Sequence, residues 1–131
     1  MTDPLFDHEK LDVYRLSIEY AAMSYETASV LSGPNRHLRD QWLRAAQSIL
    51  LNIAEGNGKR SRKDKNRFFE IARGSALECA AIHDMLMACA AVDQEPNRQA
   101  KSQLRRIVAM LTRLIQRSHG AGRDRSEYEE E

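Results

Sequence analysis

The chain has 131 residues, enough for one domain with a substantial core. Six glycines, three prolines and few aromatic residues, against abundant Ala, Leu, Arg, Glu and Ser, favour helix and argue against a strand-rich fold. Net charge is +1 and by itself predicts no partner, but it conceals two basic blocks. Residues 36–73 hold ten basic and four acidic groups, and 98–125 hold eight basic and one acidic.

Residues 1–9 are expected to be a lead-in before the folded domain. They are acidic and lack an apolar stretch, so no signal peptide is expected. No apolar run reaches the roughly 18 residues of a membrane span, so no membrane partner is expected and the cytoplasm is the expected compartment. The first helix is predicted from Glu9 or Lys10 to Leu31. Leu11, Tyr14, Ile18, Ala21, Tyr25 and Ala28 alternate steps of three and four, a seam for helices crossing at small angles. Ser32-Gly33-Pro34 ends it, with Gly33 suited to the left-handed cap.

Asn35 is the expected N-cap of a second helix, Arg36 to Glu55, with the stripe Leu38, Trp42, Ala45, Ile49 and Ile53. Ala46 and Leu50 widen that stripe toward a second neighbour. Asn52 sits near the apolar face. It is either an amide satisfied by nearby backbone or a polar contact that sets register between helices.

Glu55-Gly56-Asn57-Gly58-Lys59-Arg60-Ser61 reads as a turn. Gly56 is expected at positive φ and Gly58 as a second bend; Ser61 caps the next helix, with Asp64 three residues on. A basic glycine turn before a helix invites a phosphate-loop reading, but the P-loop spacing is absent and no strand precedes it. The third helix is predicted from Arg62 to Val92. Its core side is Phe68, Ile71, Ala72, Ser75, Cys79, Ile82, Leu86 and Cys89, with Phe69, Ala76, Ala80, His83 and Met87 as a second stripe. Gly74 implies close approach of another backbone, with Ser75 beside it. Cys79 and Cys89 lie ten apart, about 15 Å along a helix, too far for a disulfide that needs roughly 7 Å.

Asp93 to Asn97 breaks that helix and opens a fourth, Asn97 to Ser118, with the seam Ala100, Leu104, Ile107, Leu111 and Leu114. Residues 119–131 are expected to be a disordered tail. The domain is therefore 10–118. Four long helices with short connections predict an all-α, antiparallel up-down-up-down four-helix bundle.

The runs Arg44-Ala45-Ala46, Ser48-Ile49, Asn52-Ile53-Ala54-Glu55-Gly56, Gly58-Lys59 and Phe68 through Glu78, with the opening Leu11-Asp12-Val13-Tyr14, carry a resemblance. The chain resembles a family of small bacterial four-helix bundle proteins. Some of these are encoded in intervening sequences of large-subunit ribosomal RNA genes and carry a ribosomal-protein-like label. The resemblance covers residues 11 to about 90 and implies a left-handed bundle, often a ring of five. A related branch is the basic, pentameric accessory protein of diversity-generating retroelements, which works with a reverse transcriptase and RNA. This chain is less basic overall than that branch. Glu55 and Glu78 match the family pattern and are read as structural. Glu55 is expected as a partly buried pair with the turn backbone or with Arg44 or Arg73.

No reaction is legible. A di-iron bundle needs Glu-x-x-His pairs, whereas Glu78 and His83 are five apart and do not share a face. His83 is read as a satisfied histidine at a helix edge. The cysteines lack C-x-x-C spacing, and no Ser, His and Asp grouping stands out. No metal, cofactor or catalysis is expected.

The functional lead is the cluster Lys59, Arg60, Arg62, Lys63, Lys65 and Arg67, which Arg113 and Arg117 would join at the same end of an up-down bundle. Such a surface neutralises phosphates without reading sequence; otherwise it is a solvated face. No aromatic residue is expected to stack among these cations. The expectation is a non-catalytic homo-oligomer, a pentamer by resemblance, that binds nucleic acid, with RNA rather than DNA as the expected ligand. The alternative is an assembly scaffold for a protein partner without nucleic acid. Apolar faces broader than one bundle needs point to self-association.

Overall fold

The computed structural model describes residues 3–127, with side chains described through Arg117. Four helices make up the fold: α1 (Asp12–Ala28), α2 (Arg36–Asn57), α3 (Arg62–Ala88) and α4 (Gln94–Glu127). Consecutive helices pack side by side and α4 closes on α1, which leaves α1 opposite α3 and α2 opposite α4. Short connections make neighbours antiparallel. One end gathers the starts of α1 and α3 with the finishes of α2 and α4.

Each helix contributes a seam with steps of three and four. On α3 it is Phe69, Ala72, Ala76, Cys79, His83 and Leu86; on α4 it is Asn97, Ala100, Leu104, Ile107 and Leu111. On α2, Trp42, Ala45, Ala46, Ile49 and Ile53 are buried as the stripe requires. Emptying one of these positions, as in Ile49→Ala, costs about 2–5 kcal/mol because the close-packed surroundings relax only in part.

The α1 seam is rotated from the sequence reading. Val13, Leu16, Ser17, Tyr20, Ala21, Ser24 and Ala28 are buried, whereas Ile18 and Tyr25 are exposed. Two serines face the core because each satisfies its hydroxyl within its own helix. Ser17 Oγ donates to the Val13 carbonyl at 2.7 Å, and Ser24 Oγ to the Tyr20 carbonyl at 2.8 Å. They then pack as small residues.

The termini differ in similar ways. Before α1, a 3₁₀ turn at Asp7–Lys10 orders part of the lead-in, and Asn57 Nδ2 donates to Asp7 Oδ2 at 3.0 Å to tie it to the end of α2. α1 stops at Ala28 with Ser29 as its C-cap; Gly33 does take a positive φ, +60°, but as the first residue of a 3₁₀ turn and not as the cap of α1. Asn35 does not cap α2 through its side chain; it lies in a 3₁₀ turn, Gly33–Asn35, that runs directly into the helix. Ser61 does cap α3, its hydroxyl accepting from the Asp64 amide at 3.1 Å.

α3 ends at Ala88, before the expected Val92, in a Schellman motif. The Ala91 amide donates to the Leu86 carbonyl at 2.9 Å and the Ala90 amide to Met87 at 3.0 Å. Ala90, at φ 55°, occupies the left-handed position that glycine usually fills. α4 continues past the expected end at Ser118 to Glu127, which places residues 119–127 of the expected tail in helix; residues 128–131 lie outside the described ones.

The close approach expected at Gly74 occurs at Gly56 instead. Gly74 has open space where a Cβ would stand, so no backbone approaches it. Gly56 is not at positive φ. A Cβ there would lie 2.9 Å from Phe68 Cβ and 3.0 Å from the Phe69 ring. The close approach is therefore between the last turn of α2 and the first turns of α3. On α3, Ile71 and Cys89 are exposed and Phe68 only half-buried, so the core passes through Phe69, Ala76 and His83 instead.

Candidate nucleic-acid interface

Gly56 sets the geometry of the basic end. Without a side chain there, Phe68 settles against the α2 terminus, and its ring receives two cations. Lys59 Nζ lies 5.1 Å and the Arg67 guanidinium 5.6 Å from the ring centroid. An aromatic residue thus does stand among the cations, contrary to the sequence reading, and it holds charge in place. Gly58 carries the chain round the turn, its amide donating to the Ala54 and Glu55 carbonyls.

Lys65 Nζ donates to the Asn57 carbonyl at 2.8 Å, which fixes its ammonium at the negative end of α2. Arg60, Arg62 and Lys63 are exposed, and among the described residues none of the three forms an ion pair. Glu55 is not partly buried with Arg44 or Arg73. It is an exposed residue 3.8 Å from Lys59, a surface contact of small energy. Arg73 instead donates from Nε to Thr112 Oγ1 at 2.8 Å, joining α3 to α4.

Arg113 and Arg117 lie at the same end, as the topology requires. They line a shallow cleft with Leu11, Asp12 and Val13, between α4 and the start of α1. The acidic lead-in reaches the same end: Asp7 is held at Asn57, and that hydrogen bond keeps its carboxyl below the usual carboxylate range. Lys59, Lys65 and Arg67 thus have fixed places at the turn, whereas Arg113 and Arg117 line the cleft between α4 and α1.

Among the motif residues, Asn52 is satisfied within its own helix, and the polar contact across to α3 is made by Ser48 instead. Its Nδ2 donates to the Ser48 carbonyl at 2.8 Å and lies 3.1 Å from Ser48 Oγ, which meets Ser75 Oγ of α3 at 2.7 Å. Glu78 is exposed, with Gln41 Nε2 at 3.5 Å.

A polar cluster that the sequence reading missed lies in the core. Trp42 Nε1 donates to the Tyr20 hydroxyl at 2.9 Å. That hydroxyl lies 2.8 Å from His83 Nε2, and His83 Nδ1 lies 2.7 Å from Asn97 Oδ1. Asn97 Nδ2 returns to the His83 carbonyl at 3.2 Å. One arrangement of protons satisfies every member: the tyrosine donates to Nε2, and a neutral imidazole donates from Nδ1. Burial holds the imidazole below its ordinary value of 6.5, opposed by the Asn97 contact. Burial likewise raises the Tyr20 phenol and pushes the adjacent Cys79 thiol up to about 12. These groups stay neutral and serve packing. Each of the four sits on its helix seam in the fold; Trp42 and His83 also fall on the stripes read from the sequence, whereas Tyr20 and Asn97 do not.

A family model described as 23S rRNA-intervening sequence protein matches residues 9–113. This chain belongs to that family. The fold has a solved counterpart in a protein of unknown function from the S23 ribosomal protein family of Bacteroides thetaiotaomicron. That protein is 24% identical, covers 79% of this chain and 95% of its own, and superposes with a TM-score of 0.75. No curated protein matches the sequence. Among the described residues, no group of three His, Cys, Asp or Glu converges as metal ligands. No described helix is long and apolar enough to cross a membrane.

Proposed function

We propose that this protein is a non-catalytic homo-oligomeric bundle that binds the phosphate backbone of nucleic acid, RNA in preference to DNA, through the end of the bundle that holds the α2–α3 turn. The observation that carries this reading is the set Lys59, Arg60, Arg62, Lys63, Lys65 and Arg67, with Lys59 and Arg67 seated on Phe68 and Lys65 fixed at the α2 terminus. Cations held in place lose less freedom on meeting phosphate. The preference for RNA is supported by the family's own description, which ties its members to an intervening sequence of 23S rRNA.

Self-association is supported by apolar side chains left on the surface. Leu77, Ala81 and Met85 form one exposed row on α3, and Ile18, Ala22 and Tyr25 another on α1. A ring of copies, five by family resemblance, would repeat the basic end around one axis and turn a weak site into a multivalent one.

The test uses the full chain purified without nuclease, with mass from light scattering and the 260/280 nm absorbance ratio. Fluorescence anisotropy then follows RNA and DNA strands of one sequence across 50–200 mM salt. Binding that weakens with salt and is tighter for RNA is expected. Changing Lys59, Arg60, Arg62 and Lys63 to Gln should lower the salt slope by about 3. No binding at low salt refutes the interface, and a monomer at micromolar concentration refutes the assembly. An oligomer that captures protein and no nucleic acid establishes the scaffold reading instead.

A further inference from the structure

α3 and α4 leave between them a groove of about 630 Å³, away from the basic turn. Its floor is apolar, formed by Leu77, Ala80, Met87, Leu104 and Val108, and Leu77 and Met87 are left open to solvent. Its α4 rim carries Arg98, Lys101 and Arg105, spaced so that all three share one face over about 10 Å. Lys101 pairs with Asp84 of α3; among the described residues Arg98 and Arg105 are in no ion pair.

An apolar floor under a cationic rim fits an acidic segment that also carries a large side chain. A bare phosphate backbone would leave the floor uncovered. The chain contains such a segment, Glu127-Tyr128-Glu129-Glu130-Glu131. It does not reach its own groove. Arg105 and Glu127 lie about 33 Å apart along one continuous helix, and the four residues beyond span at most about 14 Å. A copy lying parallel has the same offset.

We propose that the acidic segment of one copy docks in the α3–α4 groove of a second, antiparallel or end-to-end copy. Tyr128 covers the apolar floor, and the glutamates face Arg98 and Arg105. This contact shares only Leu77 with the exposed row on α3 and leaves the α1 row free, and it does not depend on nucleic-acid binding.

The test places a photo-crosslinking p-benzoylphenylalanine at Tyr128 in the full chain, mixed equally with isotope-labelled chain. Cross-linked peptides are read by mass spectrometry and total mass by light scattering. Cross-links between light and heavy copies should fall on 77–108, and Arg98→Glu with Arg105→Glu should reduce them at least five-fold. A partner with Glu127, Glu129, Glu130 and Glu131 changed to Lys should restore them. If the reversed pair loses helical circular dichroism, Arg98→Gln with Arg105→Gln takes its place. Cross-links only within one chain, cross-links at another surface, no cross-links, or a yield indifferent to these charges would each overturn the proposal. An oligomer that persists in those cases leaves the proposed function standing.

Discussion

The Tyr20 hydroxyl and His83 Nε2 meet at 2.8 Å across the diagonal of the bundle, between two helices whose backbones do not approach. With Trp42 and Asn97 they join all four helices through one buried chain of hydrogen bonds. A polar core is costly when partly satisfied and specifying when complete, because only one register of the helices aligns every donor with its acceptor.

Tyr20→Phe keeps the ring and removes the hydroxyl. Trp42 Nε1 and His83 Nε2 then lose their partner in a buried site. We expect a loss of about 1–3 kcal/mol, measured by urea denaturation. A change under about 0.5 kcal/mol would mean that the network adds nothing beyond packing.

Acid should weaken the fold through His83. Its imidazole is held below 6.5 by burial, so below that pH the unfolded chain binds a proton that the folded chain refuses. The contribution is whole above about pH 6.5 and is lost as pH falls toward the depressed folded value. The slope approaches about 1.4 kcal/mol per pH unit for this one proton. Denaturation midpoints between pH 5 and 7.5 measure it, and His83→Gln should flatten that part of the curve.

The two helix glycines should respond to alanine in opposite ways. Gly56→Ala forces a Cβ to 2.9 Å from Phe68 Cβ, which helix backbone holds in place, and we expect a loss of about 1–3 kcal/mol. Gly74→Ala enters open space in a helix interior and should stabilise by about 0.5–1 kcal/mol. Thermal melts of the pair decide it; a shared sign would contradict the packing described here.

At the end of α3, Ala90 bears the strain of a left-handed residue with a Cβ. Ala90→Gly should raise stability by about 1 kcal/mol, the steric cost removed less glycine's extra entropy when unfolded. Differential scanning calorimetry against the parent chain reads the gain as a few degrees.

The sequence by itself determined four helices, their order, the α2 face, the Ser61 cap and the basic turn. These follow from local periodicity and local turn chemistry, and no distant residue is needed to read them. The rotation of α1 was not legible, because Ser17 and Ser24 look polar until their bonds to carbonyls four residues back are seen. Nor was the close approach at Gly56 rather than Gly74, since both glycines look alike along the chain and only Phe68 and Phe69 arriving from α3 distinguish them. Tyr20, Trp42, His83 and Asn97 are scattered over the chain, and each alone is a polar fault in an apolar seam. Only tertiary packing, which brings four seams to one axis, turns those faults into a satisfied network.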